Sequence, residues 1–294
     1  MDATARTPEE STLPPHRDHA RLFRGNRYVY PVLSRRSRGI SVGINLNPDK
    51  ACNFDCVYCQ VDRNVAPAVR EVDRPRLLAE LDGTLELVRT GRLFEDPRFA
   101  SVPGPLRRLN DIAFSGDGEP TTYPAFGPVV RDVAELKRRR GLGAVKLVLI
   151  TNATMFDRPA VAEALATLDE NRGEIWAKLD AGTEAFYRRV GRTSIPFRRV
   201  LGNLRRAALR RPIVIQSLFM TIDGEGPAPD ELDAYARRLE EILEGGGRIA
   251  EVQVYTVARP PAEGSVGPLE AAELGRIGAR LRERIPVPVA VFGG

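Results

Sequence analysis

Lys50-Ala51-Cys52-Asn53-Phe54-Asp55-Cys56-Val57-Tyr58-Cys59-Gln60 holds all three cysteines of the chain, spaced Cys-x3-Cys-x2-Cys. Three thiolates converging on one point can hold a metal centre and leave it one ligand short. A structural zinc site closes its tetrahedron with four protein ligands. No histidine lies near this loop, since His16 and His19 stand far upstream. An iron–sulfur cube held by three thiolates instead keeps one iron open to a further ligand. The bland readings are chance clustering and cysteines used as small buried hydrophobes. Both are weak, because tight cysteine clusters rarely lack a metal or redox role.

Just before the loop, residues 39–46 alternate and carry β-branched side chains, which predicts a strand. The cysteines therefore sit beyond a strand's carboxyl end, where α/β barrels and open parallel sheets place their chemistry. Helical spacing follows at 77–90, 126–140, 159–168, 183–190, 197–210, 230–244 and 269–284. Apolar strand-like runs lie at 111–115, 145–151, 175–179, 213–222, 251–256 and 287–292. Six βα units and a terminal strand predict an α/β fold with a parallel sheet and right-handed crossovers. A doubly wound open sheet is the rival. A partial (βα)6 TIM-like barrel is preferred, because polar motifs follow one strand after another as if around one mouth. Residues 1–25, with Pro14-Pro15, scattered charges and few large apolar side chains, read as a disordered tail. Residues 26–294 read as a single domain.

The chain has 294 residues, 43% of them hydrophobic, enough for a sizeable core. No apolar run approaches the roughly 20 residues that span a bilayer, and the N-terminus lacks a signal peptide's apolar segment. An odd number of cysteines in one cluster argues against a disulfide framework. These features predict a cytoplasmic protein with no membrane partner. The net charge of +5 comes from arginine, the lysines being Lys50, Lys137, Lys146 and Lys178. A basic surface favours polyanions such as RNA. With 39 acidic residues interspersed, a mixed, solvated surface is an equal reading.

The cysteine spacing, with Tyr58 directly before the third cysteine, resembles the radical S-adenosylmethionine (SAM) superfamily. The resemblance covers nearly the whole chain from about Tyr28. It implies that Cys52, Cys56 and Cys59 bind a [4Fe–4S] cluster whose open iron takes the amino and carboxylate groups of SAM. One electron, from a donor such as flavodoxin or ferredoxin, then cleaves SAM to a 5′-deoxyadenosyl radical that takes hydrogen from a substrate. Gly118, Glu119 and Pro120 match the family's Gly-Glu-Pro element, which binds the SAM amino group, with Asp117 replacing the usual preceding glycine. Taken alone, that element is an ordinary Asp-Gly turn.

Other strand ends carry polar residues. Asn152, Lys178, Asp180 and Gln216 are candidates for SAM ribose, SAM carboxylate or substrate contacts, while Tyr58 and residues 254–257 are candidates for the adenine side. Lys178 and Asp180, two apart, share one face of a strand and could equally be a self-neutralising pair. Lys178 is also the candidate catalytic residue: a buried lysine with a depressed pKa could form a Schiff base with a carbonyl substrate. The arginine groups at 137–140 and 205–211 suit helix carboxyl ends, whereas Arg35, Arg36 and Arg38 precede the first strand and could meet a phosphate-bearing substrate or lie on the surface.

The segments Tyr30-Pro31-Val32, Ser34-Arg35-Arg36, Ser41 to Leu46, Lys50 to Gln60, Gly118 to Thr121 and Tyr123-Pro124 resemble one subgroup. Its members are bacterial and archaeal iron–sulfur oxidoreductase-like proteins related to the radical SAM enzymes of wyosine-type tRNA modification. Those wyosine enzymes condense a methylated guanosine of tRNA with pyruvate and carry a second cluster on additional cysteines. This chain has no fourth cysteine, so that second cluster is not expected. Two classes of function remain: a radical enzyme acting on a tRNA base or a small molecule, and a non-enzymatic iron–sulfur protein for electron transfer or redox sensing.

Overall fold

The computed structural model describes residues 21–67, 69–259 and 261–293. Seven of the strands run parallel: β2 (Gly39–Ile44), β3 (Leu109–Phe114), β4 (Lys146–Thr151), β5 (Gly173–Lys178), β6 (Ile213–Leu218), β8 (Ile249–Tyr255) and β10 (Val289–Phe292). β1 (Val29–Ser34) joins antiparallel to β2, giving the order β1-β2-β3-β4-β5-β6-β8-β10. The edge strands β1 and β10 do not pair. The sheet nonetheless curls so that they approach. Arg35 Nη1 donates to the Gly293 carbonyl at 2.6 Å, and the Arg36 guanidinium lies 4.6 Å from the Tyr255 ring centre. This is a partial barrel with one open seam.

Alternation along the strands separates an outer core from an inner lining. Leu147, Leu149, Ile175 and Ala177 face the helices, while Val148, Ile150 and Trp176 gather with Ala113 and Val214 inside. The outer face is covered by α1 (Arg74–Arg89), α2 (Phe126–Arg139), α3 (Pro159–Glu170), α4 (Glu184–Gly191), α5 (Phe197–Arg210), α6 (Pro229–Glu244) and α7 (Ala271–Arg284). Each helix turns its apolar stripe inward: Leu77, Leu81, Leu85 and Val88 do so from α1. No helix among the described residues is long and apolar enough to cross a membrane.

The expected order of strands and helices is the observed one, with three differences. Residues 29–34 form a strand, and Gly43 permits it: the Tyr30 ring lies where a Cβ at Gly43 would stand, 2.4 Å away. The run 213–222 is two strands. After Phe219 N bonds the Tyr255 carbonyl at 2.8 Å, the chain leaves the barrel, and β7 (Met220–Ile222) pairs antiparallel with β9 (Val266–Pro268). The tail boundary drawn at residue 25 falls inside packed chain, since Phe23 is buried edge-on against Phe99. Residues 1–20 of that tail lie outside the described residues.

Candidate active site

The cysteine loop, between β2 and α1, is pinned to neighbouring elements on both flanks. Asp55 N and Val57 N donate to the carbonyls of Gly191 and Val190 at the end of α4, at 3.0 and 2.9 Å. Asn53 clasps the end of β4: its Oδ1 accepts from Asn152 Nδ2, and its Nδ2 donates to Thr154 Oγ1, both at 2.7 Å. Thr193 Oγ1 donates to the Asn53 carbonyl. Gly118 closes the third side, because a Cβ there would stand 1.9 Å from the Ala51 carbonyl oxygen. The Gly-Glu-Pro element thus touches the loop through its glycine backbone.

The three thiols are half-buried and unoxidised, and all three line one cavity of about 380 Å³ inside the barrel. Among the described residues, no three His, Cys, Asp or Glu side chains are gathered closely enough to hold a metal ion. Burial pushes the Cys56 thiol up to about 12, with the Asp180 carboxylate adding to it, and burial also raises Cys52. A metal centre would displace these protons.

Glu119 is buried at the cavity wall. Its Oε1 accepts from Thr121 N, Thr121 Oγ1 and Thr151 Oγ1 at 3.1, 2.5 and 2.7 Å, and its Oε2 accepts from Asn152 N at 2.7 Å. Burial raises its pKa against these bonds. Glu119 therefore joins the ends of β3 and β4, and Asn152 carries that junction on to Asn53. Pro120 opens the short turn Pro120–Thr122.

Lys178 and Asp180 do face the cavity as a pair, 3.4 Å apart, within a larger cluster. Asp180 Oδ2 accepts from Tyr58 Oη at 2.5 Å and Oδ1 from Leu218 N at 2.8 Å. Lys178 Nζ donates to Tyr255 Oη at 2.6 Å and lies 4.8 and 5.1 Å from the Tyr58 and Tyr255 ring centres. The expected depressed lysine is corrected here. Burial pulls the Lys178 pKa down, but Asp180 and then Tyr255 more than reverse it, so Lys178 is held as an ammonium above the ordinary range. Burial and Asp180 likewise raise Tyr58.

Deeper in the cavity the sequence pointed to Gln216 and missed Asp111. Gln216 Nε2 donates to Gln253 Oε1 at 2.8 Å, yet Gln216 Oε1 has no partner among the described residues. On β3, Asp111 Oδ1 accepts from Ser41 Oγ, and its buried Oδ2 also has none. Both residues line the cavity. The sole signal for Asp111 was a charge inside a short apolar run.

A curled parallel sheet with a triple-cysteine loop set over the carboxyl ends of its strands defines a class of barrel enzymes. The chain belongs to the Radical SAM superfamily, whose family model matches residues 46–239. Enzymes of this superfamily generally use a 4Fe–4S cluster and SAM. A UPF0026 protein of Helicobacter pylori is 24% identical over 78% of this chain and 66% of its own length. Another, from Methanocaldococcus jannaschii, is 28% identical over 55% of this chain and 43% of its own. The chain thus spans between about two fifths and two thirds of the length of these relatives. A radical SAM methyltransferase from Sphaerobacter thermophilus superposes with a TM-score of 0.63 at 15% identity, covering 90% of this chain and 69% of that one. TYW1 with a lysine-pyruvate adduct bound gives 0.50 at 17% identity, covering 84% and 74%. These likenesses show the fold.

Proposed function

We propose that Cys52, Cys56 and Cys59 hold a [4Fe–4S] cluster, and that the cavity beneath them takes SAM and a substrate for radical chemistry. The carrying observation is that three thiols of one pinned loop line the same cavity as Glu119, Lys178 and Asp180. The donor set fits the group: three thiols of one loop and no nearby histidine to close a four-ligand site. When bound, the cluster supplies the electron that cleaves SAM reductively to the 5′-deoxyadenosyl radical. The protein's own part is positional. Gly118 lets the Gly-Glu-Pro backbone reach the cysteine loop. Glu119 Oε2, with one bond from the chain, retains capacity for an ammonium donor. Asp180 orients Tyr58, the candidate for the adenine side, and Gln216 keeps a free acceptor for SAM or substrate.

Lys178 serves in this reading as a fixed cation that anchors an anionic or carbonyl group. TYW1 is described with a lysine-pyruvate adduct, but an ammonium held by Asp180 and Tyr255 is a poor nucleophile. A flavodoxin or ferredoxin is the proposed electron donor. An iron–sulfur electron carrier, the other class, has no use for a cavity of this kind beside its cluster. Anaerobic reconstitution with iron and sulfide, then SAM and dithionite, tests the proposal. The expected product is 5′-deoxyadenosine, lost in each single Cys→Ala variant. A wild-type protein that takes up iron and yields no SAM cleavage product would refute it.

A further inference from the structure

Five arginines line the cavity; Arg63 stands beside the cysteine loop and pairs with Asp55, and the other four come from three separate stretches of chain. Arg35 and Arg36 come from the β1–β2 turn, Arg259 follows β8, and Arg21 precedes β1; all four line the cavity. Arg35 and Arg36 stand at the open seam, tied to Gly293 and Tyr255 across it. Arg21 is paired with Asp117. Among the described residues no carboxylate pairs with Arg36 or Arg259; of the other carboxylates lining the cavity, Glu119 is committed to the β3–β4 junction and Asp180 to Lys178 and Tyr58, while Asp111 bonds Ser41 through one oxygen and leaves the other without a partner. Burial first, and then the charges of Arg21, Arg36 and Arg35, lower the Arg259 pKa to about 10. Like charges held together at the edge of a cavity repel one another, and a fold keeps them there at a cost that an anionic ligand would offset.

We propose that Arg35, Arg36 and Arg259, with Arg21 beside them, form the anion subsite of the substrate cavity, and that the substrate is a small phosphate ester. This rests on the reading of the cavity as the place of radical chemistry. A guanidinium presents a planar fork of donors that matches phosphate oxygens bidentately. A phosphate monoester carries close to two negative charges at neutral pH, which suits Arg36 and Arg259, the two with no carboxylate partner among the described residues. The phosphate at the seam would leave the remainder of the molecule pointing inward, toward Lys178 and the free acceptors of Gln216 and Asp111.

The test is calorimetric titration of the reconstituted full-length protein with ribose 5-phosphate as probe, beside inorganic phosphate and intact tRNA. The wild type should bind ribose 5-phosphate. Arg36→Gln and Arg259→Gln should each weaken binding about tenfold, and Arg259→Lys, which keeps the charge and loses the fork, by less. Arg138→Gln, at the far end of α2, should bind as the wild type does. Arg138→Gln should also leave SAM affinity and 5′-deoxyadenosine yield unchanged. No binding of ribose 5-phosphate at millimolar concentration would overturn the inference, even with SAM cleavage intact. Binding by intact tRNA alone would overturn it too, as would a parallel loss of SAM affinity in the arginine variants. Ribose 5-phosphate binding in a protein that cannot cleave SAM would support the anion subsite and sink the radical reading instead.

Discussion

Gly118 shows how little freedom the centre of this site has. Any side chain there would meet the Ala51 carbonyl oxygen, a backbone atom that can move only with the cysteine loop. Gly118→Ala should therefore lower the iron retained after reconstitution, at an overpacking cost of about 1–3 kcal/mol. Far-UV circular dichroism should stay native, and undiminished iron would show that the loop can yield. Asp111 makes the opposite case, a charge the fold does not favour. Burial raises its pKa. The stabilisation of its protonated form is whole below the ordinary aspartate range and is lost as pH rises through the raised value. Asp111→Asn keeps an acceptor for Ser41 and escapes that loss. Its melting temperature should match the wild type near pH 4 and exceed it by a few degrees at pH 8, since an unsatisfied buried acceptor costs about 1–3 kcal/mol. Equal melting temperatures at both pH values would mean that Asp111 has found a partner. The three cysteines and Glu119 were readable from spacing and motif. Asp111 and Asn53 were not, because their roles depend on Ser41, Asn152 and Thr154, far away in sequence.

The loop from 50 to 60 has no regular structure of its own and borrows its shape from β4 and α4. Asn53 is the main clasp, with two side-chain bonds to the β4 end, whereas Thr154 supplies one of them. Asn53→Ala should accelerate bleaching of the reconstituted cluster by a chelator more than Thr154→Val does, and neither change should alter the helix content. Equal rates in both variants and the wild type would show that the backbone bonds of Asp55 and Val57 suffice. The order of the parallel strands was legible because each is an apolar run bounded by turns, alternating with helical spacing. β1 was not legible as a strand, since Pro31 interrupts it and its partner is set by the fit of Tyr30 over Gly43. The β7–β9 pair was hidden for a similar reason. Three residues on each side, paired across more than forty positions, leave no periodic trace.

For the protein as a whole, the excess of arginine raises the question of polyanion binding, and pairing answers part of it. Arg140 bridges to Asp82 and Glu86, Arg205 to Glu241, Arg211 to Asp169, and Arg284 to Asp233 and Glu240. Exposed pairs like these add little stability, yet each places an acid where an RNA phosphate would have to come. The sequence could show arginines at helix ends but not which acids neighbouring helices bring to them. It could not show either that the seam gathers Arg35, Arg36 and Arg259 into one place. The paired surface arginines are thereby less open to phosphate than Arg36 and Arg259 at the cavity. A nucleic-acid interface with six to ten phosphate contacts loses about 10³–10⁵ in affinity between 50 and 200 mM salt. It also starts from tight binding at low salt. Filter binding of the full-length protein to tRNA should show weak retention at 50 mM salt, no preference over a homopolymer RNA, and none left at 200 mM. Retention of tRNA over homopolymer at 200 mM would mean that RNA meets this protein through more than its paired surface arginines, and would move the search for its substrate from phosphorylated metabolites to modified nucleosides.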